Sequence, residues 1–197
     1  MTRHSAALIG LAIVGVVALT GCTPGAGTPG SDGSSSHSAD ASADPSTKPT
    51  VTAAPAAPTF ALPANCTAIA SAATLTALFA DIPSRPPGDL TRPAPTGASK
   101  LLTCSWFAGD TTGGDVVYYS TTAAAGQAYV AVMQGNGFVC AAALGGTRCD
   151  KTTPNTQYPV DTVETTFTRD NVWIYVSMTN VDATALLPDM VATAWAA

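Results

Sequence analysis

Apolar positions recur at two different spacings after residue 60 of this chain, and these spacings predict its secondary structure. Five prolines and no periodicity predict a long loop over residues 82–97. Spacings of three and four predict helices over residues 65–80, 123–134 and 183–195, the last kinked at Pro188. Alternating or continuous apolar runs predict strands over residues 100–107, 115–121, 138–144, 147–152, 162–168 and 172–179. We therefore predict an α+β domain over residues 60–197, with helices packed on one antiparallel sheet.

The last two predicted strands form the clearest hairpin, with a turn near residues 170–171. One face of this hairpin is predicted to be core. The other face either lies under a helix, which makes its aromatic pair core, or forms a partly exposed platform for a glycan, a lipid or a peptide, or a surface for self-association. It carries five side chains that we single out as ligand-binding candidates: Trp173, Tyr175, Thr166, Thr168 and Glu164.

The third and fourth predicted strands form a second hairpin with two alternative registers. A turn at residues 145–146 places Cys140 opposite Lys151. A turn at residues 144–145 instead places Cys140 directly opposite Cys149. The sequence leaves both registers open.

Cysteine usage in the domain predicts a disulfide-stapled fold. An even number of cysteines in an exported chain predicts two disulfides, with three alternative connectivities. No Cys-x-x-Cys motif is present, which argues against a redox-active or zinc site. The four residues are Cys66, Cys104, Cys140 and Cys149, and we favour the pairs Cys66–Cys104 and Cys140–Cys149.

The N-terminal segment has the pattern of an export signal. A short positive stretch precedes fourteen uncharged residues, 6–19, which match a secretory h-region and are too few to span a bilayer. Residues 19–22, Leu-Thr-Gly-Cys, resemble the lipobox of bacterial lipoproteins. The resemblance implies that a diacylglycerol is attached to the sulfur of Cys22. It also implies that cleavage before Cys22 removes residues 1–21 as a signal peptide.

The segment that follows Cys22 is poor in large apolar side chains. Residues 23–59 are mainly Ser, Thr, Pro, Ala and Gly, with a few Asp. Such a composition cannot bury enough surface to offset the chain entropy that folding removes. We therefore predict that residues 22–59 are a lipidated cysteine and a disordered tether, which holds the domain at the extracytoplasmic face of the cell membrane.

Composition argues against several functions of the domain. The net charge of −5 and the pI of about 4.6 argue against nucleic-acid binding, which favours a basic surface. Both histidines, His4 and His37, precede residue 60, so the domain lacks the imidazole that Ser-His-Asp, Cys-His and His-based zinc sites need. The glycine-rich phosphate-binding motifs are also missing from the sequence. We predict no catalytic residue, no cofactor and no metal.

Charged side chains of the domain have simple structural interpretations. Most carboxylates fall at predicted turns and caps, although Glu164 and Asp161 are the best candidates for a pair that hydrolyses glycosides. Asp110 and Asp115 flank a predicted turn and are expected to be solvated rather than to bind calcium. Arg92 is expected to be solvated in its loop rather than to meet an anionic wall polymer.

Several features occur together in this chain. They are a lipobox, a Ser/Pro/Ala-rich tether, Cys66 at the start of the first helix, Cys104-Ser105-Trp106 in the first strand, a later cysteine pair and a closing helix. This combination resembles small cell-envelope lipoproteins of high-GC Gram-positive bacteria that carry a domain of unknown function. The resemblance implies an α+β sheet sandwich in the cell envelope and no established reaction.

These features predict a lipid-anchored, non-catalytic binding or sensor module. Its predicted partners are the membrane, through the anchor, and a cell-wall glycan, a lipid or an envelope protein. One alternative is a structural subunit of an envelope protein complex. Another is a hydrolase built on carboxylates.

Overall fold

The computed structural model describes residues 59–88 and 90–196 of the 197-residue chain. The predicted signal peptide, Cys22 and the tether up to residue 58 lie outside the described residues, and what the sequence indicates for them stays a prediction. Within the described part, no helix combines the length and the apolar character that a membrane crossing needs.

Three helices and a seven-stranded sheet make up the described part of the chain. The helices are α1 (Ala72–Phe79), α2 (Ala123–Gly135) and α3 (Leu186–Ala194). The strands are β1 (Ser84–Arg85), β2 (Ser99–Ala108), β3 (Thr112–Ser120), β4 (Val139–Ala143), β5 (Gly146–Pro154), β6 (Asp161–Arg169) and β7 (Val172–Thr179). All neighbouring strands are antiparallel, in the order β1-β2-β3-β7-β6-β5-β4. The predicted α+β class with one antiparallel sheet is confirmed.

Helix α1 begins later than predicted because a local turn competes with it. The side chain of Asn65 accepts a hydrogen bond from the backbone N–H of Thr67 at 2.9 Å, which offers this segment an alternative to the helix. Ser71 is extended, with φ −61° and ψ 149°, and its Oγ accepts a hydrogen bond from the backbone N–H of Thr74. The helix prediction over residues 65–71 is therefore wrong, since Ser71 caps a helix that starts at Ala72.

Two other details differ from the sequence prediction. The proline-rich loop contains strand β1, in which Ser84 lies opposite Trp106 of β2. A two-residue strand is too short to leave a periodic signal in the sequence. Pro188 lies in the first turn of α3, where a helical N–H has no intrahelical partner, so the proline is accommodated at the helix start rather than as an interior kink.

The β6–β7 hairpin has the predicted register. Val163 lies opposite Met178, and Thr168 lies opposite Trp173. The alternation of a strand places these two pairs on opposite faces of the sheet. The prediction that the aromatic candidates share one face with the polar candidates of β6 is confirmed.

The β4–β5 hairpin adopts the second of its two predicted registers. Its turn is Leu144-Gly145, and both residues have positive φ, 53° and 75°. These values are what a two-residue type I′ turn requires. Cys140 therefore lies directly opposite Cys149.

Both favoured disulfide pairings are confirmed. The Sγ atoms of Cys66 and Cys104 are 2.10 Å apart, and those of Cys140 and Cys149 are 2.07 Å apart. The first bond joins the segment before α1 to β2. The second bond links the two strands of the β4–β5 hairpin.

Buried side chains form two clusters on opposite faces of the central strands β3 and β7. The first cluster combines side chains of α1 and α3 with alternate strand residues such as Tyr118 and Ile174. The second combines Met133 of α2 with the neighbouring strand residues Tyr119 and Trp173. Because successive strand residues point to opposite faces, both faces of the central strands are buried.

Candidate functional site

The aromatic pair singled out from the sequence is buried. Trp173 is 0% exposed and Tyr175 is 1% exposed. The ring of Tyr129 on α2 meets the Trp173 ring edge-on, with centroids 5.3 Å apart. The indole N–H of Trp173 donates a hydrogen bond to the backbone oxygen of Pro93 at 3.0 Å. The interpretation as a partly exposed platform is therefore wrong, and the alternative of a covered core face is correct.

The polar candidates on the same face are also engaged by the protein. Thr166 and Thr168 are each 1% exposed, and the Thr168 hydroxyl donates to the backbone oxygen of Val172 at 3.1 Å. Glu164 is half-buried and accepts a hydrogen bond from the Tyr175 hydroxyl. The pKa of Tyr175 is raised well above its usual range. Burial of the hydroxyl is the largest cause, and the hydrogen bond with Glu164 is the second. The five candidates lie together on one face but offer little surface to a ligand.

A line of polar side chains crosses five strands of the sheet next to these candidates. We call it the polar row, and its members are Ser105, Asp115, Ser177, Glu164 and Lys151, each opposite the next. It follows from strand register, because residues directly opposite each other in antiparallel strands point to the same face. Sequence reasoning missed it, since the strand order of the sheet is needed to align its members.

Asp115 is the most buried charge in the described residues, and protein groups satisfy it. The Arg92 guanidinium pairs with one carboxylate oxygen, and the Ser105 hydroxyl donates to the other at 2.5 Å. The side chain of Asp115 is 1% exposed and that of Arg92 is 27% exposed. The expectations of a solvated Asp115 and a solvated Arg92 are therefore wrong. Asp115 is removed from solvent and Arg92 is removed in part, because each residue pairs with the opposite charge of the other.

The same contacts bear on the chemistry of the domain. Asp115 and Glu164 both accept hydrogen bonds from neighbouring side chains, and Asp161 stands exposed at the start of β6. Over residues 59–88 and 90–196, no group of three or more His, Cys, Asp and Glu side chains is placed to hold a metal ion. The carboxylate hydrolase stays a prediction that these contacts do not strengthen.

A concave feature of the described residues lies between α1 and the β1–β2 edge, and we call it the α1–β2 cleft. Its volume is about 440 Å³. The rings of Phe79 and Trp106 stack inside its lining, with centroids 4.3 Å apart and planes within 5° of parallel. The lining residues are Cys66, Thr67, Ala72, Leu75, Thr76, Phe79, Ala80, Ile82, Pro83, Ser84 and Trp106.

Local structure explains how this cleft forms. The Ser71 cap starts α1 so that Leu75, Thr76 and Phe79 fall on one side of the helix. The disulfide of Cys66 ties the preceding segment to β2, which supplies Trp106. Helix and strand are thereby held beside each other, and side chains fill the space between them only in part.

The chemistry of the cleft is apolar and uncharged. Its lining includes no charged side chain, and its polar side-chain groups are the hydroxyls of Thr67, Thr76 and Ser84 and the indole N–H of Trp106. Ligand sites in proteins have volumes of about 300–1,000 Å³ and combine an apolar wall with a few polar groups. The α1–β2 cleft has both properties. The apolar spacing of the sequence indicates that Phe79 and Trp106 face inward, but it does not show where packed side chains leave a gap.

A second cavity of about 110 Å³ lies where α3 begins. Arg148 lines it, and its Nε donates to both carboxylate oxygens of Asp150 at 2.9 and 2.8 Å. The volume suffices for a few water molecules. We therefore regard the α1–β2 cleft as the candidate functional site.

Comparisons of the chain with protein-family models, curated proteins and solved structures found no match. The geometry of the cleft and the pattern of the sequence are thus the basis on which a function is assigned.

Proposed function

We propose that this protein is a lipid-anchored, extracytoplasmic binding module that holds the apolar part of an envelope lipid in the α1–β2 cleft and catalyses no reaction. The lipobox at residues 19–22 and the preceding h-region support the anchor. The two disulfides of the described residues support an oxidising compartment, because such bonds persist outside the cytosol.

The domain is proposed to be a covered sheet that keeps the cleft in a fixed shape. Side chains of α1 and α3 share one buried cluster with the sheet, and side chains of α2 share the other. This arrangement supports helices packed on both faces. When a ligand enters a cleft on such a scaffold, few protein groups lose conformational freedom. The entropic cost of binding is therefore small, which favours binding.

The single observation that carries the ligand class is the uncharged, largely apolar lining of the cleft. Burying an unpaired charge there would be costly, which disfavours a headgroup as the bound part. A glycan presents many hydroxyls, and the lining offers few polar side-chain partners, namely the hydroxyls of Thr67, Thr76 and Ser84 and the indole N–H of Trp106. An acyl chain needs no such partners and gains about 0.8 kcal/mol for each methylene group removed from water.

Quenching of tryptophan fluorescence tests this proposal on the full-length chain in phosphatidylcholine vesicles. The probe is the methyl ester of a long-chain fatty acid brominated along its chain, with the unbrominated ester as the blank. Because Trp106 lines the cleft, we expect saturable quenching that is lost in Trp106→Phe. Quenching that persists unchanged in Trp106→Phe would place the probe elsewhere.

A matched pair of variants on α1 separates the cleft from the surface. Ala72 lines the cleft, whereas Ala77 is exposed on the same helix and does not line it. We expect Ala72→Phe to lower the affinity for the probe by about tenfold or more, and Ala77→Phe to leave it unchanged. Equal affinities of the two variants, or no saturable binding by the unaltered chain, would contradict the proposal.

A further inference from the structure

Strand β4 forms an open edge of the sheet and carries none of the usual protections of an edge. The sheet order ends at β4 on one side and at β1 on the other. Edge strands are normally blocked by prolines, charged side chains or very short length. The β1 edge is two residues long and is flanked by Pro83 and Pro86. By contrast, β4 is the uncharged, proline-free sequence Val-Cys-Ala-Ala-Ala, and its Val139 is 78% exposed.

The register of the β4–β5 hairpin determines which backbone groups of β4 are unpaired. The Cα atoms of Cys140 and Cys149 are 3.9 Å apart, which identifies a non-hydrogen-bonded pair of the antiparallel ladder. Bonded and non-bonded pairs alternate along such a ladder. The N–H and C=O groups of Cys140 and Ala142 therefore point away from β5, outward from the sheet.

These outward groups match a second copy of the same strand. If two β4 strands run antiparallel about a twofold axis at Ala141, Cys140 of each copy lies opposite Ala142 of the other. Each of these pairs exchanges two N–H···O bonds, so the dimer gains four backbone hydrogen bonds. Every outward N–H and C=O group of Cys140 and Ala142 then has a partner. The same axis places Val139 of one copy beside Ala143 of the other on a common face. The exposed valine thereby becomes shielded on the side that faces the second copy.

We propose that the protein self-associates through β4, forming a twofold dimer in which two seven-stranded sheets join into one continuous sheet. The occupant of the edge is a second copy rather than another protein, because the bonding pattern is symmetric about Ala141. The small, uncharged side chains also create no repulsion when the strand meets itself. This inference depends on neither the lipid anchor nor the α1–β2 cleft.

Cysteine crosslinking of the full-length chain tests the register directly. Residue 141 faces its own copy across a non-hydrogen-bonded pair, a geometry that a disulfide can bridge. We expect the purified Ala141→Cys chain to form a reducible dimer on mild air oxidation, whether or not the chain carries a lipid. Residue 143 is on the same face but lies opposite residue 139, so Ala143→Cys is the matched control and should stay monomeric. Peptide mapping verifies that the new bond joins residue 141 to residue 141.

A proline variant tests the backbone bonds without a new thiol. Ala142→Pro removes an outward N–H and leaves the bonds to β5 intact, so the hairpin tolerates it. Light scattering of the detergent-solubilised full chain should give the mass of two chains for the unaltered protein and of one chain for Ala142→Pro. A one-chain mass for the unaltered protein, equal crosslinking at residues 141 and 143, or a dimer that persists in a folded Ala142→Pro chain would each overturn the proposal.

Discussion

Asp189 of α3 accepts two hydrogen bonds from Ser71, the residue that caps α1. The backbone N–H and the hydroxyl of Ser71 donate to the same carboxylate oxygen at 2.8 and 2.6 Å. The Ser71 hydroxyl also accepts a hydrogen bond from the backbone N–H of Thr74. Ser71 therefore connects the first turn of α1 to the first turn of α3, which contains Asp189. This contact fixes the start of α1, the helix that forms one wall of the cleft.

Replacing Asp189 with asparagine should weaken this contact and change its dependence on pH. The Ser71 and Thr74 hydroxyls, in that order of effect, lower the pKa of Asp189 below its ordinary value of 3.8. A carboxyl whose pKa is lower in the folded state stabilises the protein above its unfolded pKa, and loses this effect as the pH falls through the folded pKa. Because solvent screens a partly exposed carboxylate, we expect Asp189→Asn to cost at most about 1 kcal/mol at neutral pH in urea unfolding, a cost that shrinks as the pH falls below the ordinary value of 3.8.

Asp110→Asn provides the control for this measurement, because it removes the same charge from an exposed turn. Its cost should be within about 0.5 kcal/mol of zero at each pH. If Asp189→Asn has the same cost at neutral and acid pH, the carboxylate form is not what Ser71 stabilises.

Two glycines of α2 should respond to alanine in opposite directions. Alanine is the better helix former by about 1 kcal/mol, so Gly135→Ala, which has open space around it, should stabilise the protein by up to that amount. A Cβ at Gly126 would lie 2.4 Å from Oγ1 of Thr168, which is closer than atoms approach. We therefore expect Gly126→Ala to destabilise by about 1–3 kcal/mol, measured by thermal and urea unfolding.

The comparison of these two glycines tests whether α2 rests directly on β6. Stabilisation by both alanines would mean that α2 lies far enough from Thr168 to admit a Cβ at residue 126. A double variant, Gly126→Ala with Thr168→Ala, should recover part of the loss because the clashing hydroxyl is gone.

Alternation along the chain is enough to predict the parts of the fold that depend on neighbouring strands. The pairing of Val163 with Met178 follows from a short turn and a period of two. Whether Trp173 is exposed depends instead on Tyr129 and Pro93, which approach from distant parts of the chain. Period-two patterns assign a side chain to a face but do not determine what covers that face.

The candidate site is beyond sequence prediction for a related reason. The α1–β2 cleft exists because the helix starts at Ala72 instead of residue 65 and because β1 pairs with β2. The first depends on a local competition around Asn65, and the second on two residues with no pattern. A volume left between packed elements is set by such details, and apolar spacing indicates only that Phe79 and Trp106 face inward.

A substitution in the turn between β4 and β5 should increase the stability of the domain. Leu144 has φ 53°, a conformation that is unfavourable for most L-residues and favourable for asparagine. Leu144→Asn creates the Asn-Gly sequence preferred in type I′ turns and should stabilise the domain by about 0.5–1 kcal/mol. Leu144→Val should destabilise it, because a β-branched side chain fits positive φ poorly. Equal urea midpoints for these two variants would contradict the turn assignment.

Removing only Arg92 from the ion pair with Asp115 should destabilise the protein more than removing both charges. Arg92→Met leaves a carboxylate that is 1% exposed with only the Ser105 hydroxyl as a partner, so we expect a loss of about 3 kcal/mol in urea unfolding. Adding Asp115→Asn to that variant removes the unpaired charge and keeps an acceptor for Ser105, so most of the loss should be recovered. The single Arg92→Lys variant keeps a positive charge and serves as the control for charge alone. Additive losses in the double variant would show that Arg92 acts by packing over Tyr175, whose ring centre lies 5.6 Å from its guanidinium carbon, rather than by compensating Asp115.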